Sequence, residues 1–172
     1  KTMPIAIVAG ADPLCHIVAT AGYGIGEDEA DYAGALAQRP VELVKCETSD
    51  LLVPAHSEIV IEGELIPDRT AIEGPFGEYP GYRTEGARSG ALCEVKAITY
   101  RNDPILSMIS LGVPLDDSSV AASLTAGVSM KRRLKRHGLP VTDVFAPPHG
   151  VTHLIIVSVE KGGIDMVRKV GE

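Results

Sequence analysis

Apolar and polar positions change period along this chain, and the changes mark its elements. Met3-Pro-Ile-Ala-Ile-Val-Ala9 is a continuous apolar run of strand length, which predicts a short buried strand. Gly10-Ala-Asp12-Pro13 follows as a helix start, with Asp12 as N-cap and Pro13 at the first helical position, where its missing N–H costs nothing. The pattern predicts a helix from Pro13 to about Ala21, stopped by Gly22 and Gly24. A second helix is predicted over Glu27–Gln38, with acids at its positive end and Pro40 beyond its stop. From Val41 the period shortens. Strands are predicted over Val41–Thr48, Ser57–Gly63 and Ala91–Tyr100, the last with Cys93, Val95 and Ala97 on one face. Arg101-Asn-Asp-Pro104 reads as a turn and Ile105–Leu111 as a returning strand. A long helix is predicted from about Asp117 to His137, opened by Asp116-Asp117 and ended by Gly138. Val120, Leu124, Val128 and Leu134 recur on it at roughly helical spacing. The basic run Lys131 to Arg136 suits the negative end of its dipole and reads as a solvated helix end. Val151–Val159 is the last predicted strand. Short strands separated by Gly/Pro turns suggest an antiparallel barrel or sandwich with flanking helices, an α+β fold.

Composition narrows the classes. The chain has 172 residues, 45% of them hydrophobic, which makes disorder an unsuitable reading. Sixteen Lys+Arg against 23 Asp+Glu give a net charge of −7, and aromatics are only 4%, so neither a phosphate-binding face nor a base-stacking platform for nucleic acid is indicated. No apolar run approaches the ~20 residues that cross a bilayer. Cys15, Cys46 and Cys93 are far apart and odd in number, which argues against a disulfide scaffold or zinc knuckle and fits a reducing cytoplasm. The first residue is Lys1 rather than Met, and both ends read as cut from a longer protein.

Candidate chemistry concentrates in Ala71-Ile-Glu73-Gly74-Pro75-Phe76-Gly77-Glu78-Tyr79-Pro80-Gly81-Tyr82, where five of twelve residues are Gly or Pro. A turn of this composition can aim Glu73 and Glu78 at one point. Paired carboxylates are useful where one stays ionised and the other delivers a proton. On composition alone, a surface loop with two solvated glutamates is the plainer reading.

The wording of the chain then adds a resemblance. Gly34-Ala-Leu, Pro40-Val-Glu-Leu-Val-Lys-Cys-Glu-Thr-Ser-Asp-Leu-Leu-Val-Pro54, the following segment to Glu64, and Glu73-Gly-Pro-Phe-Gly-Glu78-Tyr-Pro-Gly-Tyr82 resemble the central part of UbiD-type decarboxylases, over about Met3 to Lys161. The resemblance implies reversible removal of CO2 from aromatic, including phenolic, or α,β-unsaturated carboxylic acids with prenylated FMN. It implies a split β-barrel like that of FMN-binding flavin reductases. Glu73 and Glu78 match the acids of the family's Arg–Glu–Glu network, Glu78 as proton donor and Glu73 as the partner of the arginine, with Gly74, Pro75, Phe76 and Gly77 against the cofactor. Glu29 matches the carboxylate ligand of a divalent Mn2+ or Mg2+ ion, with K+ nearby; by position alone it is also a plain acidic helix start beside Glu27 and Asp31. A hard cation between a phosphate and a carboxylate is sound chemistry. Phe76, Pro75 and Tyr79 are expected to give Glu78 apolar cover, since a glutamic acid is a poor donor near pH 7 without desolvation.

The same resemblance frames the chain as one domain of a longer enzyme. Residues 1–40 would form a lead-in, 41–115 the barrel strands, 116–138 the helix, and 139–172 the final strand and start of a connector. The catalytic arginine and the metal-binding Asn and His would lie before Lys1 and a cofactor-closing domain after Glu172, so the chain alone is expected to be inactive. Expected partners are a small carboxylic acid, a flavin prenyltransferase as cofactor supplier and further copies in a homo-oligomer, with no nucleic acid or membrane. Rival classes are a plain FMN-binding, flavin-reductase-like module and a non-catalytic assembly domain. The remaining candidates are weaker. His16 reads as structural, and His149 and His153 lie in a turn that does not fix metal geometry. Leu111-Gly-Val-Pro114 matches a loop near flavin and substrate. Gly22-Tyr-Gly-Ile-Gly26 lacks the strand-then-helix context of dinucleotide binding.

Overall fold

The structure, a computed structural model, describes residues 1–78, 81–83, 86–109, 115–150 and 153–171. Its described elements are β1 (Met3–Ala9), α1 (Pro13–Ala19), α2 (Glu29–Ala37), β2 (Leu43–Lys45), β3 (Leu52–Pro54), β4 (Ile59–Glu73), β5 (Arg88–Tyr100), α3 (Asp117–Arg136), β6 (Val141–Phe145), β7 (Ile156–Val159) and α4 (Ile164–Gly171). They fall into two compact units. The first comprises Lys1–Ala19, Ile25–Gly77 and Arg83–Ile109; the second comprises Thr20–Gly24, Glu78–Tyr82 and Ser110–Glu172. No helix among the described residues is long and apolar enough to cross a membrane.

The first unit is built on the antiparallel sheet β1-β4-β5, with Val8 opposite Val60 and Val60 opposite Thr99. Alternation puts Ala6, Val8 and Val60 on one face, where they pack with Cys46, Leu51 and Val53 of the small β2-β3 hairpin. Glu62 shares that face and is almost completely buried. Its carboxylate accepts hydrogen bonds from the N–H of Glu47 at 2.9 Å, the N–H of Thr48 at 2.7 Å and the Thr48 hydroxyl at 2.6 Å. One charged side chain thus closes the β2-β3 turn onto the sheet. The other face carries Met3, Ile7, Val95 and Ile98, all exposed. Helix α1 starts as its sequence dictates, with Asp12 Oδ1 accepting from the Leu14 N–H at 2.9 Å. Helix α2 is capped by Asp28, which accepts from the Ala30 N–H at 2.8 Å, and ends at Gln38 in the left-handed region.

In the second unit, Asp116 and Ser119 form a capping box that starts α3: Asp116 Oδ1 accepts from the Ser119 N–H at 2.6 Å and Ser119 Oγ accepts from the Asp116 N–H at 3.1 Å. The buried face of α3 is Ser119, Ser123, Gly127 and Leu134. An added Cβ at Gly127 would lie 3.3 Å from the Val144 carbonyl oxygen, so the small residues let the helix lie close against the β6-β7 hairpin. Lys131 Nζ pairs with Asp143 Oδ1 at 2.8 Å.

The described strands form three antiparallel sheets, which bears out the antiparallel, mixed helix-and-strand reading. Several boundaries are corrected. The 41–48 strand contracts to Leu43–Lys45, and β3 and β6 form where no strand was expected. Strand β4 runs ten residues past Gly63, because a bulge between Ile66 and Thr70 takes up Pro67, Asp68 and Arg69 without ending the ladder. Residues 105–109 are not a strand, and Ser110 to Pro114 lie outside the described residues. The last strand starts at Ile156, after residues 153–155 that are not strand, while Val151 and Thr152 lie outside the described residues. Val120, Leu124 and Val128 do not line a core; they are exposed.

Candidate functional site

The candidate site begins where the β4-β5 ladder ends. Its rungs run from Ile59 opposite Tyr100 to Glu73 opposite Arg88. On this last rung, Arg88 Nε donates to Glu73 Oε1 at 2.9 Å. The guanidinium also lies over the Phe76 ring, 5.6 Å from its centroid, a cation–π distance. Gly74 has φ +78°, which turns the chain and brings the Phe76 ring back against it; an added Cβ there would lie 3.3 Å from the ring. A bridge between Gly77 and Arg83 closes the turn within the same unit. The Glu73 carboxylate lies over Gly90, where an added Cβ would come within 2.7 Å of its Cδ and 2.8 Å of Oε2. The side chains of Arg88 and Glu73 are 66% and 46% exposed, so this pair contributes about 0–1 kcal/mol to folding.

Glu78 belongs to the second unit. It is half-buried, and its backbone makes a tight turn: its N–H donates to the Tyr82 carbonyl at 2.8 Å and its own carbonyl accepts from Gly81 at 2.9 Å. Tyr79 and Pro80 lie outside the described residues. The structure therefore brings Glu73, Gly74, Phe76 and Gly77 together with Arg88, while Glu78 is described within its own turn. Arg88 was not singled out from the sequence. Its pairing needs the register of the ladder, which Pro67 obscures.

Glu29 is the first residue of α2. Asp28 does the capping, so the exposed Glu29 carboxylate is not spent on the helix and suits a hard cation as one oxygen donor. Among the described residues no group of three or more His, Cys, Asp and Glu side chains could hold a metal, and this covers His149 and His153. His149 lies in a short 3-10 turn, Pro148–Gly150, and the His153 N–H donates to Gly150. His16 is half-buried on α1.

Nothing in the described cysteines suggests a nucleophile. Burial pushes the Cys46 thiol up, aided by the nearby Glu62 charge, and burial with Asp12 does the same at Cys15. A cavity of about 570 Å³ is lined by Ala11, Cys15, Ala33, Val41 and the ion-paired Arg39 and His56. None of the expected site residues lines it.

With this geometry in view, the comparisons place the chain. Residues 1–114 match the UbiD family, described as the 3-octaprenyl-4-hydroxybenzoate carboxy-lyase Rift-related domain. The chain belongs to the UbiD family. It is 37% identical over 166 residues to the phenolic acid decarboxylase of Sedimentibacter hydroxybenzoicus, covering 95% of this chain and 34% of that protein. It is 34% identical over 172 residues to ferulic acid decarboxylase 1 of Saccharomyces cerevisiae, covering 99% of this chain and 34% of the yeast protein. Among solved structures, the closed form of the Sedimentibacter hydroxybenzoicus vanillic acid decarboxylase superposes with a TM-score of 0.89 at 34% identity, over 98% of this chain and 36% of that one. An evolved dimeric form of HmfF from Pelotomaculum thermopropionicum, in complex with prFMN, superposes with a TM-score of 0.83 at 32% identity, over 99% and 39% respectively. The chain spans about a third of the length of the relatives it matches.

Proposed function

We propose that this chain is the part of a prenylated-FMN-dependent aromatic-acid decarboxylase that carries its proton-donating carboxylate, Glu78, and the arginine-paired carboxylate, Glu73. The observation behind this reading is the Glu73-to-Glu78 turn at the end of β4, with Glu73 held by Arg88, in a UbiD-family chain whose relatives include decarboxylases of phenolic, ferulic and pyrrole-2-carboxylic acids.

Loss of CO2 from an aromatic or vinylic carbon leaves electrons that no side chain absorbs, and prenylated FMN supplies the sink when bound. The residues of this chain do the rest. Glu78 delivers a proton to the carbon that has lost CO2. It starts from a half-buried position. Glu73 stays paired with a guanidinium and orients the site. Gly74, Pro75, Phe76 and Gly77 present an exposed turn with an aromatic ring, a surface that a flat ring system can approach closely. Glu29 would supply one oxygen ligand to a Mn2+ or Mg2+ ion serving the cofactor, and K+ would bind with it.

The finer parts of the proposal follow the family. The substrates are small aromatic, including phenolic, or unsaturated acids and the reaction is reversible. The strands close into a split barrel in the intact enzyme, which is a cytoplasmic homo-oligomer supplied by a flavin prenyltransferase. The test is Glu78→Gln in the intact enzyme. Decarboxylation is expected to stop while the flavin still binds, read by absorbance and CO2 release. Near-normal turnover would overturn the reading.

A further inference from the structure

Two features surround the Glu73 carboxylate and set where it lies. One is Arg88, opposite it on the last rung of the ladder, with Nε 2.9 Å from Oε1. The other is the missing side chain at Gly90, whose Cβ would sit within 3 Å of the carboxyl group. Phe76 completes the arrangement from below, since its ring carries the Arg88 guanidinium. The ladder fixes both backbones, the ring lies under the guanidinium, and the missing Cβ at Gly90 leaves room for the carboxylate.

We propose that Arg88 is a positioning residue for Glu73, and that Gly90 is part of the same device. This rests on the decarboxylase reading above and deepens it. Arg88 takes Oε1 and leaves Oε2, which receives no hydrogen bond among the described residues, for a group contributed at the site. A single charged N–H···O bond between side chains on one rung fixes direction as well as charge. A carboxylate displaced by about 1 Å can cost on the order of 10²-fold in rate without any change in its chemistry.

Gly90 makes the test clean. The atoms that a Cβ would meet are the far end of a flexible glutamate side chain, so Gly90→Ala is accommodated by moving that carboxylate and not the fold. Both charges remain. In the intact enzyme, co-produced with flavin prenyltransferase, Gly90→Ala and Arg88→Gln are assayed on vanillate, ferulate or pyrrole-2-carboxylate, whichever the wild type turns over fastest. Each variant is expected to lower kcat by on the order of 10²-fold, with KM near the wild-type value. Flavin absorbance and melting temperature should match wild type, and Arg88→Lys should recover part of kcat. A second readout is independent of turnover: the 15N-labelled Arg88 Nε–H resonance should be present in wild type, lost in Glu73→Gln and displaced in Gly90→Ala. Wild-type kcat in both Arg88→Gln and Gly90→Ala, with Glu78→Gln inactive, would reject the positioning role alone. Normal turnover in Glu78→Gln would reject the decarboxylase reading and this inference with it.

Discussion

Glu62 is a buried carboxylate on a strand whose neighbours are isoleucine and glycine. Burial raises the pKa of an acid, yet here the opposite wins. The Thr48 hydroxyl bond is the largest influence, and together with the N–H groups of Glu47 and Thr48 it holds the carboxyl below the usual glutamate range. The folded pKa therefore lies below the unfolded value of ~4.3, so Glu62 contributes its full stabilisation above that pH and loses it as pH falls through the folded pKa. The melting temperature should drop between about pH 5 and pH 3, in the region of the unfolded carboxylate pKa. In Glu62→Gln it should start lower at pH 7 and fall less steeply. A pH series of thermal melts on both proteins checks this, and parallel curves would contradict it. Sequence reading did not single out Glu62, because nothing along a strand announces that a charged residue points inward. The signal was the Glu47-Thr48 pair in a turn, legible only once that turn is placed over the sheet.

The elements show why some patterns were readable and others were not. Helix caps act through neighbours two or three residues away, so Asp12 and Asp116 were legible as helix starts. The face of α3 was not. Val120, Leu124 and Val128 carry the apolar periodicity, yet the packed residues are Ser119, Ser123 and Gly127. Close approach of a helix to a hairpin favours small side chains, since dispersion contacts grow as backbones near each other. Gly127→Val should push α3 from the Val144 carbonyl and destabilise the protein by about 1–3 kcal/mol. Leu124→Gln, on the exposed side, should change stability by less than about 0.5 kcal/mol. Denaturant titration of the two variants decides between the faces. The EGPFGE turn was legible as a string, which is why the family resemblance could be stated at once. The partner of Glu73 was not, because Arg88 follows fifteen residues later and only strand register puts them side by side.

At the scale of the molecule, the chain supplies some of the parts that the proposed reaction needs. The acidic surplus of −7 is mostly exposed surface, and three acids, Glu29, Glu73 and Glu78, carry the functional reading. Glu29 is the one whose effect should reach furthest on the proposed reading, since it would hold a divalent ion that serves the cofactor. On the proposed reading, Glu29→Gln in the intact enzyme should lower bound Mn2+ and flavin together while α2 stays folded. Metal analysis and flavin stoichiometry check it, and unchanged metal content would remove Glu29 from the ligand set. Chelation of wild type should reproduce the same loss of flavin.

The bulge at Pro67, Asp68 and Arg69 has a consequence for how such a chain can vary. These three exposed residues lie outside the rungs, between Ile66 opposite Leu92 and Thr70 opposite Ala91. They work as an expansion joint. Length changes taken up there alter a surface loop, where adding residues is cheap, and leave the rungs from Thr70 to Glu73 in phase with Arg88. Below the joint the ladder answers to the hydrophobic packing around Val60; beyond it, the ladder answers to the turn. Insertions and deletions among related chains should therefore gather at the joint and be rare within the rungs Thr70–Glu73 and Arg88–Ala91, where a single residue would swing Glu73 or Arg88 to the opposite side of the sheet.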